Sequence, residues 1–140
     1  MKNTHFTIHS DGGARGNPGP AAYGFVVTDD NKNLVHKDSG YIGETTNNVA
    51  EYTGVVKALE WILKHTTPTS LSVILDSELV ARQLSGIYKI KNENLKKYYL
   101  SIKELERDIH CPITFSSVPR NQNKEADALV NAALDNHLLT

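Results

Sequence analysis

The stretch LSVILD, residues 71–76, is the feature that most limits what this chain can fold into. It is short and almost wholly apolar, and a helical pattern, SELVARQLSG, follows it at once. Strands of that kind belong to parallel sheets, whose faces are both buried under helices. The rest of the chain therefore has to supply partner strands and helices to cover them.

Three apolar or β-branched segments come first, residues 4–10, 21–28 and 33–42, separated by turn-rich links. They read as sequential strands of an antiparallel meander. The first link, DGGARGNPG, reads as a nine-residue loop, so that Asp11 ends the first strand. From residue 47 the period changes. Val49, Tyr52, Val56, Leu59 and Leu63 are spaced by three and four, one face of a helix that ends before Pro68. SELVARQLSG predicts a helix stopped by Gly86, and residues 95–108 predict another. CPITFSSV supplies a fifth strand, and residues 124–138 a last helix with Ala126, Leu129, Val130, Ala133 and Leu134 inward. The order is βββαβααβα. No repeat or low-complexity linker interrupts it, so residues 1–140 are expected to form a single domain.

Composition narrows the class of partner. With 15 Lys+Arg against 16 Asp+Glu, the chain lacks the bulk basicity of many nucleic-acid binders. A nucleic acid would have to be held by a local patch or through bound cations. The single cysteine, Cys111, leaves no internal disulfide, and MKNTHFTIHSDGG has no unbroken apolar stretch. A cytoplasmic protein without membrane partners is expected. Lacking an exposed apolar heptad, it is expected to be a monomer.

Four carboxylates could carry chemistry. Asp11 follows FTIHS and Asp76 follows SVIL, and open α/β sheets place their sites beyond such strand ends. Asp-Gly and Asp-Ser are equally ordinary turn and cap chemistry. Asn48-x-x-Glu51 fits a capping box, yet Asn47, Asn48 and Glu51 also form one polar patch at a helix start. Asp127 falls in the first turn of the last helix, where it could simply complement the helix dipole.

Other chemistries fail on sequence. Gly13-x-x-Gly16-x-x-Gly19 is neither a dinucleotide fingerprint nor a Walker loop. The six histidines are scattered without metal-ligand spacing, and no serine or cysteine has an adjacent histidine signature. A phosphatase using Asp11 as nucleophile needs a second aspartate two residues on, where Gly13 stands. The lysines and tyrosines of IYKIKNENLKKYYL could touch a nucleic-acid backbone or form a solvated helix face.

Taken together, DGGARGNPGPAAYG, TNNVAEY, LDSELVARQLSG and VPRNQNKEADALVNAAL resemble, in order and spacing, the four active-site blocks of type 1 ribonuclease H. The resemblance implies an α/β fold with a five-stranded mixed sheet, three strands antiparallel and two parallel, flanked by helices. It implies an endonuclease that hydrolyses the RNA strand of an RNA–DNA hybrid, leaving 5′-phosphate and 3′-hydroxyl ends. Asp11, Glu51, Asp76 and Asp127 would be its catalytic, metal-binding carboxylates, holding two ions of Mg²⁺ or Mn²⁺. Gly12, Gly13, Asn47 and Asn48 would approach the minor groove, while Thr46 and Asn17 would hold a phosphate of the DNA strand. Such contacts read sugar and shape, so little sequence preference is expected.

The chain departs from the family pattern in three places. The loop SSVPRNQNKEAD lacks the histidine of many bacterial members; Arg120 is nearest to that place, and a guanidinium stays protonated. Arg120 and Asn123 are placed with the substrate-binding residues; Asn123 matches a family asparagine in this loop, though it would serve equally as an N-cap. Glu78 stands where some relatives have glutamine, and no basic, tryptophan-rich protrusion separates Gly86 from the helix at 95. These departures leave open a module that binds hybrid or double-stranded RNA with little turnover, and an enzyme acting on double-stranded RNA or on an RNA–DNA junction.

Overall fold

A computed structural model describes residues 4–139. Its strands are β1 (His5–Ala14), β2 (Gly19–Thr28), β3 (Leu34–Thr45), β4 (Ser70–Leu75) and β5 (Ile113–Ser117). Its helices are α1 (Asn47–His65), α2 (Glu78–Leu84), α3 (Glu93–Ile109) and α4 (Lys124–Leu139), with a 3₁₀ turn at Arg120–Gln122. The element order is the one the sequence predicts. The strands form one mixed sheet in the order β3-β2-β1-β4-β5. Pairing is antiparallel for β1–β2 and β2–β3, and parallel for β1–β4 and β4–β5.

Helices α1, α2 and α3 cover one face. Tyr52, Leu59, Val80, Leu84, Leu95 and Ile102 meet Ile8, Phe25, Val27, Leu71, Val73 and Leu75 there in one continuous core. Each such side chain contributes about 2 kcal/mol on leaving water. On the opposite face α4 lies over β1, β2 and β3, where Val130 and Leu134 pack on Ala22. Because α4 does not extend over β4, that strand is not buried on both faces as its composition suggests. Leu71, Val73 and Leu75 are buried, whereas Ser72 and Ile74 on the other side are half-exposed.

Two further expectations are corrected. The apolar stripe of α1 is rotated by one residue at its carboxyl end: Val55 and Ile62 are buried, Val56 is half-buried and Leu63 is exposed. Alpha1 packs on both the sheet and α3, so its buried surface is wider than one row of three-four spacing. The glycine-rich link is mostly strand. Beta1 runs on to Ala14 and β2 begins at Gly19, leaving a turn closed by the Arg15 amide donating to the Pro20 carbonyl at 2.8 Å. Asp11 therefore does not end its strand. It stands two residues past His9↔Ile74, the last pair of the parallel β1–β4 ladder, and Asp76 follows β4 directly.

Candidate metal centre

Glycines bring the helix carrying Glu51 onto the strand carrying Asp11. A β-carbon on Gly12 would collide with the carbonyl of Ala50, and one on Gly54 would stand 2.7 Å from Ser10 Oγ. Without those two side chains the backbones of β1 and α1 lie against each other, which sets Glu51 beside Asp11. A glycine inside a helix costs about 1 kcal/mol relative to alanine. That cost is the sequence signal for Gly54, which the reading by motif passed over. Gly12 is itself buried, so its missing side chain serves the helix contact rather than an approaching sugar.

Ligand oxygens of Asp11, Glu51 and Asp76 lie within 4.8 Å of one another, the arrangement a metal ion requires. Asp127, half-buried in the first turn of α4, adds its charge to the group and raises the Asp11 carboxyl further. Burial and then the charge of Asp76 push the Asp11 carboxyl up to about 7, against the opposing hydrogen bond from the Gly12 amide. Glu51 is raised well above the usual carboxylate range by burial first, then by Asp11 and Asp76. Asp76 is raised by burial, with the Arg120 guanidinium and the Asn123 side chain opposing. Glu51 Oε2 and Asp76 Oδ2 are buried without a hydrogen-bond partner. Carboxylates held so close, with unpartnered oxygens, stay ionised together only beside a compensating cation.

The capping-box alternative for Glu51 is corrected by the structure. The N-cap of α1 is Thr46, whose hydroxyl accepts from the Val49 amide at 3.3 Å. Glu51 lies beyond the first turn, which contains no acidic residue. Asn47 is tied to the hairpin tip. Its Oδ1 accepts from the Ala14 amide at 2.8 Å, and its own amide donates to Asn17 Oδ1 at 3.0 Å. Asn17, Thr46, Asn47 and Asn48 are all exposed along this edge, with Gly13 half-buried in β1.

Arg120 is 79% exposed, its Nε 4.0 Å from Asp76 Oδ2. Asn123 differs from its neighbours in the loop because it is only 1% exposed. Its Nδ2 donates to the Ser10 carbonyl at 2.9 Å, so the side chain is turned into the fold rather than toward a ligand. Glu78 pairs with Arg82 at 2.8 Å on the surface of α2.

Acids on two central strands and two helices, meeting past the parallel ladder of a five-stranded mixed sheet, define a metal-centre protein of the reverse transcriptase-like family, whose model matches residues 9–133. A bifunctional protein of Mycobacterium tuberculosis is 43% identical over 129 residues, 91% of this chain and 35% of the relative. The chain thus spans about a third of the length of the curated relatives it matches first. Among solved structures, LC11-RNase H1 in complex with an RNA/DNA hybrid superposes with a TM-score of 0.92 at 43% identity, covering 95% of this chain and 99% of that one. RNase H1 from the halophilic archaeon Halobacterium salinarum superposes with a TM-score of 0.87 at 35% identity, covering 96% and 99%. The chain belongs to the type 1 ribonuclease H family. Among the described residues no helix is long and apolar enough to cross a membrane.

Proposed function

We propose that this chain is a metal-dependent endoribonuclease that hydrolyses the RNA strand of RNA–DNA hybrids, leaving 5′-phosphate and 3′-hydroxyl ends. The observation that carries the reading is the convergence of Asp11, Glu51 and Asp76, with buried oxygens lacking any partner, beside Asp127. LC11-RNase H1, similar over nearly its full length, is described in complex with an RNA/DNA hybrid.

The donor set fits hard divalent cations, all its members being carboxylates. Two ions of Mg²⁺ or Mn²⁺ bound there would activate a water and stabilise the leaving 3′ oxygen. Asp11 would hold the centre of the set, with Glu51 and Asp76 on either side and Asp127 from α4. No side chain is then asked to act as nucleophile. Arg120 acts on the scissile region only through its charge. The edge formed by Asn17, Thr46, Asn47, Asn48 and Gly13 offers amides and a hydroxyl to sugars and phosphates, contacts that set register without reading bases. A monomer formed as a single domain over residues 1–140 completes the proposal.

Purified protein with Mg²⁺ or Mn²⁺ is expected to cut a labelled hybrid, and Asp76→Asn to abolish cutting while the circular dichroism spectrum stays native. An equally active variant would overturn the assignment. Parallel digestion of hybrid, duplex RNA and a duplex with a single ribonucleotide separates the proposed specificity from its two relatives. Tight hybrid binding in EDTA, without cleavage in either metal, would identify a binding module instead.

A further inference from the structure

We propose that Asn123 is a positioning residue that joins β1 to the start of α4 beside the carboxylate cluster and does not touch the substrate; this rests on the metal-centre reading of Asp11, Glu51, Asp76 and Asp127. At 1% exposure its amide is out of reach of a nucleic acid lying on the surface. One bond goes to β1, where Asn123 Nδ2 donates to the carbonyl of Ser10 at 2.9 Å, one residue before Asp11. The same amide lies beside Asp76 at the end of β4 and favours its ionised form against burial. A second bond is made by its own carbonyl, which accepts the amide of Asp127 at 3.1 Å and so opens α4 at the fourth acid.

The chemistry selects asparagine. The Ser10 carbonyl takes an N–H donor and the neighbouring Asp76 carboxylate favours one, and a primary amide carries two on one nitrogen. Its oxygen, Oδ1, is left buried and unpartnered. A residue that served only to cap α4 would have turned that oxygen back toward the helix amides. Aspartate would present two acceptors to these groups and add a charge to the cluster. Alanine would sever β1 from the start of α4, leaving Asp11 and Asp127 free to move apart.

The test compares wild type, Asn123→Ala and Asn123→Ser by Mn²⁺ titration calorimetry, by steady-state cleavage of a hybrid at saturating Mn²⁺, and by thermal unfolding. Asn123→Ala is expected to weaken Mn²⁺ binding about tenfold, the scale on which hydrogen-bond partners of ligands tune metal sites, and to lower kcat with KM for the hybrid within twofold. Asn123→Ser, which retains one small donor, is expected to fall between the two and provides the measurement should the alanine variant fail to fold. A raised KM with unchanged Mn²⁺ affinity would overturn the proposal in favour of substrate contact. A lower melting temperature with unchanged Mn²⁺ affinity and kcat, measured well below that temperature, would overturn it in favour of a purely structural role. The Mn²⁺ titration needs no turnover, so wild type that binds Mn²⁺ but cleaves nothing would sink the proposed function and leave this assignment standing.

Discussion

Gly12 of β1 lies in direct contact with the backbone of Ala50 in α1, and a β-carbon at position 12 would also stand 2.5 Å from the amide nitrogen of Glu51. Backbone on both sides leaves no flexible side chain to yield. Gly12→Ala is therefore expected to push α1 off the sheet, costing about 3 kcal/mol, the upper end for overpacking. The melting temperature should fall by roughly 10 °C for a chain of this size. Because the displaced residues precede Glu51, Mn²⁺ affinity should fall as well. A variant with native stability and native Mn²⁺ affinity in calorimetry would contradict the contact.

The raised carboxyls predict a pH dependence of stability in the metal-free protein. Asp11 has its folded-state carboxyl pushed up to about 7, so between its ordinary value of 3.8 and about 7 the folded chain binds more protons than the unfolded one. Stability from this group is present at the acid end of that window and is lost as pH rises through it. Glu51 and Asp76 are shifted in the same direction and steepen the loss. Thermal unfolding in EDTA should show a melting temperature that declines from pH 5 to pH 7, flattened by added Mn²⁺. Asp11→Asn should melt higher than wild type at pH 7 in EDTA and show a weaker slope. A wild-type slope that survives Asp11→Asn unchanged would assign it elsewhere.

Asp11 and Asp76 were legible because sheet topology fixes where sites lie, and the apolar LSVIL run announces its own end at Asp76. Glu51 was ambiguous on sequence because a capping box and a ligand share the same spacing; only the N-cap at Thr46 and the unpartnered Glu51 Oε2 separate them. The reach of β1 past Asp11 was hidden by its own glycines, which signal loops locally. In this sheet glycine answers long-range demands: Gly12 faces α1, and Gly24 of β2, paired with Asp11 across the sheet, lets Leu129 and Ala126 of α4 come close. No local pattern could show that Asn123 is buried, since its partner Ser10 is distant in sequence.

Tyr52 lies fully buried under the sheet, and its hydroxyl donates to Gln83 Oε1 at 2.6 Å, joining α1 to α2. Tyr52→Phe would leave that amide oxygen buried without a donor, costing about 1–2 kcal/mol. Gln83→Leu in the Tyr52→Phe background removes the orphan and should recover much of the loss. Chemical denaturation of the two single variants and the double gives the coupling directly. Additive losses would mean the bond contributes nothing specific.

Arg120 places a permanent positive charge 4.0 Å from an oxygen of Asp76 and opposes the rise of both Asp76 and Glu51. Removing it makes the centre more negative, so protons and divalent cations should both bind more tightly. Arg120→Ala is therefore expected to move the acid limb of the cleavage profile to higher pH and, above that limb, to lower the Mn²⁺ concentration giving half-maximal rate. The guanidinium is 79% exposed, so solvent screens the pair and the displacement should stay below about one pH unit. Raising ionic strength to about 1 M, where the screening length falls to roughly 3 Å, should shrink the difference between variant and wild type. A variant whose acid limb stays at the wild-type pH would show that Arg120 swings away from Asp76 in the working enzyme.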